Sequence, residues 1–413
     1  MAIVKPFRCI RPAKEYAARI AALPYDVFSR SEAKQEIAQE PLSFLRIDRA
    51  EANFDDEVDI YDERVYKKAK ELLDTMIKDG YFITDNEECY YIYELMMNGR
   101  SQTGLVACSA IDDYLNNIIK KHENTREDKE IDRIRHVDTC NAQTGPIFLA
   151  YRSRQNINEI IDKVKREEPL YYFTSTDGIG HHVWRIADSE TIDDIRKSFA
   201  GIKDIYIADG HHRAASAVKV GLKRRKENPA YTGNEEFNFF LSVLFPHDQL
   251  KILPYNRTVT DLNGYTAEEF IKKIEENFTV IKIGKKPYDP KEKGEFGMLL
   301  DGQWYCLKAR EEIRQSNDPV KSLDVSILQD YLLGPVLGIN DPRKDKRIDF
   351  IGGIRGLMEL ERRTTQDMKV AFSMYPTSID ELFAVSDAGM LMPPKSTWFE
   401  PKLRSGLFIH ALS

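Results

Sequence analysis

The chain has 413 residues, 60 basic against 67 acidic side chains, a net charge of −7 and 42% hydrophobic residues. That length suits two or three domains with a sizeable core, and the mildly acidic balance argues against a nonspecific nucleic-acid or membrane-surface binder. Five scattered cysteines (Cys9, Cys89, Cys108, Cys140, Cys306) form no Cys-x-x-Cys pair, the N-terminus lacks a long apolar stretch, and no apolar run approaches the roughly 20 residues that span a bilayer, so a soluble, cytoplasmic chain without disulfide framework or zinc site is expected.

Along the chain, Lys14 to Ala22 has helical spacing and stops before Pro24, after which Tyr25, Asp26 and Val27 read as extended. Ser31 to Ala38 reads as a helix ended by Pro41, and Ser43 to Ile47 as a strand leading into Asp48 and Arg49. A long helix is expected from about Tyr61 to Asp79, with Val65, Ala69, Leu72, Leu73 and Met76 on one face and Gly80 at its end. Cys89 to Met97 is a strand that turns at Asn98-Gly99 into a hairpin partner at Gly104 to Ser109.

From Ile111, the spacing of Leu115, Ile118 and His122 suits one continuous helix carrying Thr125, Lys129 and Asp132 on the same face. Lys120 to Arg135 holds six basic and five acidic side chains, which suits a solvated helix laced with ion pairs. Thr144 to Tyr151, Pro169 to Thr174 and Val183 to Ile186 return to strand, with helices at Asn158 to Lys165 and Asp193 to Phe199.

Ile205 to Ala217 is the most informative stretch. Ile205, Tyr206 and Ile207 favour strand, Gly210 frees a turn after Asp209, and the run from Ala214 through Val218 and Leu222 has helical spacing. A strand ending in a glycine turn aims the free N–H groups of a helix start at whatever lies above it. Those amides and the helix dipole attract anions, and His211, His212 and Arg213 add donors and charge. A surface turn capped by the two histidines is the plainer alternative. The basic run Lys219 to Lys226 lies at the helix C-terminus, where it complements the dipole.

Beyond a boundary loop at Asn228 to Asn234, strands at Phe237 to Phe245 and Ile252 to Val259, a helix at Ala267 to Asn277 and further strands continue an α+β pattern. Asp324 to Leu333 reads as helix, Ile348 to Ile351 as strand and Gly352 to Glu361 as a glycine-led helix. Near the end, Lys395, Ser396 and Thr397 cluster a cation with two hydroxyls on an irregular stretch.

The string Asp209 to Arg213 resembles the second box of the ParB and sulfiredoxin superfamily, whose members hold nucleotide phosphates on a Gly-x-x-Arg turn, and matches that of the free-serine kinases. With Pro24 to Val27, the His122 to Arg133 segment and the Pro-x-Lys-Ser-Thr loop, the whole length is similar to a bacterial and archaeal family of unknown function in that superfamily. The resemblance implies a mixed α+β fold: a nucleotide-binding domain over 1–228, a second α+β domain over 235–385, and a segment 386–413 returning to the site. It also implies a kinase for the hydroxyl of a small metabolite, best represented by free L-serine.

In that scheme, Gly210, His211, His212 and Arg213 bind nucleotide phosphates, joined by Lys395, Ser396 and Thr397, and Asp209 orients the acceptor or holds Mg2+. Asp26 takes the place of a glutamate base, with Glu32 or Glu123 as substitutes, and Asp26 as a plain turn residue is the alternative. Arg46, His122 and Arg133 are assigned to the substrate. ATP or ADP is the expected donor, a homodimer is left open, and neither membrane nor nucleic acid is an expected partner. A nucleotide hydrolase, a nucleotide-sensing module and, last, a metal hydrolase built on His181-His182 and His211-His212 are the competing readings.

Overall fold

Short runs rich in Val, Ile, Tyr and Phe form pleated strands whose faces bury together, and these set the architecture. The computed structural model describes residues 1–413, and the chain falls into two units, Met1–Leu250 with Pro401–Ser413, and Lys251–Glu400. Both mix helices with sheets, so the chain is of the α+β class.

In the first unit eight strands lie side by side in the order Ile119–Lys120, Ile205–Asp209, Ile147–Tyr151, Phe239–Pro246, Arg100–Ala110, Tyr90–Met97, Gly180–Ile186 and Tyr171–Thr174, and Val4–Lys5 pairs with Arg100–Ala110 as the ninth. The Tyr90–Met97 hairpin turns at Asn98 and Gly99, both at positive φ as a two-residue hairpin turn requires. Ile92, Leu105, Leu149, Ile207, Phe240 and Leu244 fill the core on the sheet. The helix Glu63–Lys78 buries Val65, Ala69, Leu72, Leu73 and Met76 in a second cluster, on the face read from the sequence. A four-stranded sheet joins Phe82–Thr84, Cys9–Pro12, Ile409–Ala411 and Ala142–Gln143, so the C-terminal strand is built into the first unit.

The second unit has a six-stranded sheet in the order Phe278–Gly284, Gln303–Ala309, Glu295–Leu300, Val370–Met374, Tyr255–Val259, Ile348–Gly352. Trp304, Leu299, Leu360 and Ala371 pack together on it. All five cysteines are buried and unpaired, and no helix is long and apolar enough to cross a membrane.

Three local expectations are corrected. Ser43 to Ile47 is not a strand: Leu45–Asp48 is one helical turn whose Leu45 and Ile47 enter the core, so burial overrode the β-leaning composition. Tyr25–Val27 is a 3-10 turn following the extended Pro24. The helix from Ile111 stops at Leu115, because Asn117 takes the left-handed conformation and Ile119–Lys120 then pairs as a strand with Ile205–Asp209. A new helix starts only at Glu127 and runs to Cys140, so His122 and Asp132 share no helix face.

Candidate functional site

The strand Ile205–Asp209 is buried through Ala208, and a register shift between Ile207 and Asp209 ends its ladder. The chain turns at Gly210 with φ 93°, and the helix His211–Glu227 begins at once. The Ala214 N–H donates to the Gly210 carbonyl at 2.9 Å. The amides of His211, His212 and Arg213 therefore precede the first bond within the helix and face out of its positive end. Arg213 folds back over the turn: a Cβ placed on Gly210 would stand 3.0 Å from its Nε. The guanidinium is fixed from the other side by Nη1 donating to the Pro146 carbonyl at 2.6 Å, alongside Gly145.

Asp209 sits among cations. Lys402 Nζ donates to its Oδ2 at 2.8 Å, and Arg213 Nη2 lies 3.8 Å from its Oδ1. Burial alone pushes this carboxyl up, but Lys402 and Arg213 outweigh it and hold Asp209 well below the usual carboxylate range. Asp209 is a poor ligand for Mg2+, because one of its oxygens is already bonded to the Lys402 ammonium.

Behind the turn the His122 and His211 rings meet edge to face, with centroids 4.4 Å apart. Burial depresses both, His122 to about 4 and His211 well below its ordinary value, with the neighbouring His122 adding to the effect on His211. Both imidazoles are neutral at pH 7. Glu123 Oε2 stands 3.5 Å from His211 Nδ1. His212 Nε2 accepts the Arg126 N–H at 3.0 Å, and burial lowers its pKa against the opposing charge of Asp26.

On the other flank Arg133 is stacked over the Tyr25 ring at 4.1 Å, bonded to Asp132 at 2.9 Å, and held charged by Asp132 and Tyr25 despite its burial. Tyr25, Asp48, Arg133, Gly145, Arg213 and Ser405 all border one cavity of ≈ 30 Å³. That is room for about one water or a single oxyanion oxygen. Above it Asp209, Gly210, His212 and Arg213 are partly exposed and Asp26 is exposed, so the turn opens to solvent.

The structure thus brings Asp26, His122, Glu123, Arg133 and Asp209 to the Gly210–Arg213 turn. Arg46 stays with its own turn, donating to the Pro41 carbonyl at 2.8 Å. Glu32 closes a capping box with Ser29 at a helix start. Lys395, Ser396 and Thr397 belong to the second unit, where Lys395 takes φ 58° and Ser396 donates to the Pro393 carbonyl at 2.6 Å. His181 and His182 serve other clusters: His181 bonds Tyr93 and Ser175, and His182 bonds Glu94.

Sequence reasoning missed Lys402, Tyr25 and Asp48. Tyr25 adjoins Asp26, whereas Lys402, seven residues past Lys395, reaches Asp209 across 193 residues, a pairing that sequence spacing does not encode. Nothing in the sequence marks Asp48, which accepts the Thr144 hydroxyl at 2.8 Å inside the cavity wall.

A family model described as a protein of unknown function (DUF1015) matches residues 4–326. The chain belongs to that family. No curated relative matches it. Among solved structures, a free serine kinase in complex with AMP is 15% identical with a TM-score of 0.35, covering 73% of this chain and 91% of its own. A conserved hypothetical protein from Pyrococcus furiosus is 14% identical with a TM-score of 0.35, covering 74% and 94%. SbnI with a C-terminal truncation, from Staphylococcus aureus, is 10% identical with a TM-score of 0.39, covering 73% and 85%.

Proposed function

We propose that this family member is a nucleotide-dependent phosphotransferase acting on the hydroxyl of a small metabolite, with free L-serine the first acceptor to test. The observation that carries the reading is the single open turn at which three helix-start amides, the Arg213 guanidinium and the Lys402 ammonium converge. Phosphoryl transfer asks little covalent chemistry of a protein and much positioning of charge. The cavity beneath Arg213 is too small for a nucleotide, so its phosphates lie across the partly exposed rim of Gly210 and His212, and only an oxygen enters below.

Asp26 is the base in this proposal: exposed, and near enough to His212 to oppose the depression of its pKa. It accepts the hydroxyl proton as the acceptor oxygen attacks the terminal phosphorus of ATP or ADP. The bond from that phosphorus to the nucleotide's bridging oxygen breaks, and the nucleotide leaves with the negative charge. Arg213 and the turn amides neutralise the phosphoryl oxygens, the neutral His212 offers an adaptable partner, and Arg133 stands across the cavity to pair an acceptor carboxylate.

Phosphorus NMR of the full chain incubated with ATP or ADP and L-serine tests this. A new phosphomonoester resonance, lost in Arg213→Ala, is the expected result. Inorganic phosphate as the sole product makes the protein a hydrolase with water as acceptor. Unchanged nucleotide affinity in Arg213→Ala removes the turn from the reading altogether.

A further inference from the structure

Arg257 lies in the strand Tyr255–Val259, bordered by Ile348–Gly352 and Val370–Met374, and is 3% exposed. A buried cation is costly unless an anion matches it. Arg257 has no carboxylate. Its Nη1 donates to the Tyr255 carbonyl and its Nη2 to the Lys395 carbonyl at 3.0 Å, while its guanidinium lies 5.4 Å from the Phe350 ring. Only two of the five N–H donors of a guanidinium are used in this way. Burial lowers its pKa to about 10, which leaves it protonated at neutral pH.

Arg257 borders a cavity of ≈ 310 Å³, with Gln329, Asn340, Phe350, Pro393 and Pro394 among the other walls. That is the space of about ten waters, enough for a small metabolite. Gln329 opens a single π-helical turn, Gln329–Leu333, a distortion that recurs at ligand sites. Arg343 also reaches the cavity, but Asp341 grips it at 2.9 and 3.1 Å, so that pair is neutral. One positive charge is left over, buried and in the wall of the cavity, with N–H donors to spare. The loop that supplies the Lys395 carbonyl also supplies Pro393 and Pro394, so the Lys395-Ser396-Thr397 stretch helps to build this cavity.

We propose that this cavity is an oxyanion site of the second unit, seating a small metabolite by its carboxylate or phosphate on Arg257. The amides of Asn340 and Gln329 are the neighbouring polar groups, and Phe350 gives the ligand an apolar wall. The site stands independently of the turn at Gly210. A forked guanidinium binds either anion through paired hydrogen bonds, and charge-assisted bonds of this kind are each worth about 1.5–3 kcal/mol, or roughly 10- to 150-fold in affinity.

Calorimetry on the full chain in an Arg213→Ala background, with inorganic phosphate and acetate as separate probes at matched ionic strength, isolates this site from the first. One saturable site for at least one probe is expected, and whichever binds more tightly names the anion. Adding Arg257→Met weakens that binding at least about tenfold, while removal of an unmatched buried charge keeps the thermal midpoint without anion from falling. Arg257→Lys, which keeps the charge and loses the fork, binds more weakly than arginine and covers the case in which the methionine variant does not fold. Equal affinity with and without Arg257, or no heat from either probe, overturns the proposal. Nucleotide binding retained by Arg257→Met on its own leaves the Gly210 turn unaffected by either outcome.

Discussion

A buried imidazole must stay neutral, and His122 and His211 are packed ring to ring at 3% and 4% exposure. Their folded pKa values lie below the ordinary 6.5, His122 at about 4. Between those limits the unfolded chain binds more protons than the folded one, so stability rises with pH through the window and is lost as pH falls from 6.5 toward 4. For His122 alone the effect is about 3 kcal/mol. Asp209, depressed from 3.8 by its two cations, adds a loss only at lower pH still. The stability of the wild type against urea is therefore expected to fall steeply from about pH 7 to about pH 4.5. The change should be visibly shallower in His122→Phe, which keeps an aromatic ring against His211 but cannot titrate. Identical slopes for the two proteins would falsify the assignment. At the same scale, Asp26→Asn should leave nucleotide affinity within about twofold and cut turnover by roughly 100-fold or more, read by comparing calorimetry with initial rates.

At the scale of elements, the strand-turn-helix at Gly210 depends on a backbone that a side chain resists twice. The φ of 93° strains any L-residue, and a Cβ there would press on the Arg213 guanidinium at 3.0 Å. Gly210→Ala is expected to cost about 1–2 kcal/mol of stability and to displace Arg213, so that nucleotide affinity falls together with the thermal midpoint. A stable variant with wild-type affinity would mean that the guanidinium can move aside, and the turn would lose its claim to rigidity. This element was legible in the sequence because its signals are local: a β-branched run, a glycine and an alanine-rich helix within thirteen residues. The same holds for Glu63–Lys78, whose apolar face is written at helical spacing. Leu45–Asp48 was not legible, because a single turn has no period to detect and its conformation is set by Leu45 and Ile47 reaching a distant core. The break after Leu115 rests on one left-handed Asn and on strand pairing with Ile205–Asp209, a contact that sequence spacing does not encode. Within 362–391 the sequence suggests no individual element beyond the α+β pattern of the second domain, although the stretch holds the strand Val370–Met374 and the capped helix Ile379–Asp387. The Lys402–Asp209 pair spans 193 residues and was out of reach for the same reason.

At the scale of the whole molecule, the first unit is interrupted in sequence: the chain leaves it after Leu250 and re-enters at Pro401. Within the second unit Lys251 pairs directly with Glu400 across an antiparallel ladder, so the two ends of the insertion are neighbours. A short glycine linker can therefore replace Lys251–Glu400 without stretching either end, since such loops close at little entropic cost. The re-entering segment is a different matter. Leu403, Arg404, Leu407, Phe408 and His410 are each at most 3% exposed. Arg404 reaches the buried His181 and its neighbour Ser175, and Ile409–Ala411 is a central strand of the four-stranded sheet. Losing it would uncover several large apolar side chains at about 1.5–3 kcal/mol apiece, a sum comparable with the whole stability margin of a typical domain. The two deletions thus have opposite expected outcomes. The excised chain, 1–250 joined to 401–413, gives a cooperative melt and keeps nucleotide binding at the Gly210 turn, because Asp209, Arg213 and Lys402 are all retained. The chain truncated after Glu400, although far longer, does not give a cooperative transition in circular dichroism. If truncation is tolerated and excision is not, the C-terminal segment is dispensable to the first unit and Lys402 has no standing in its site.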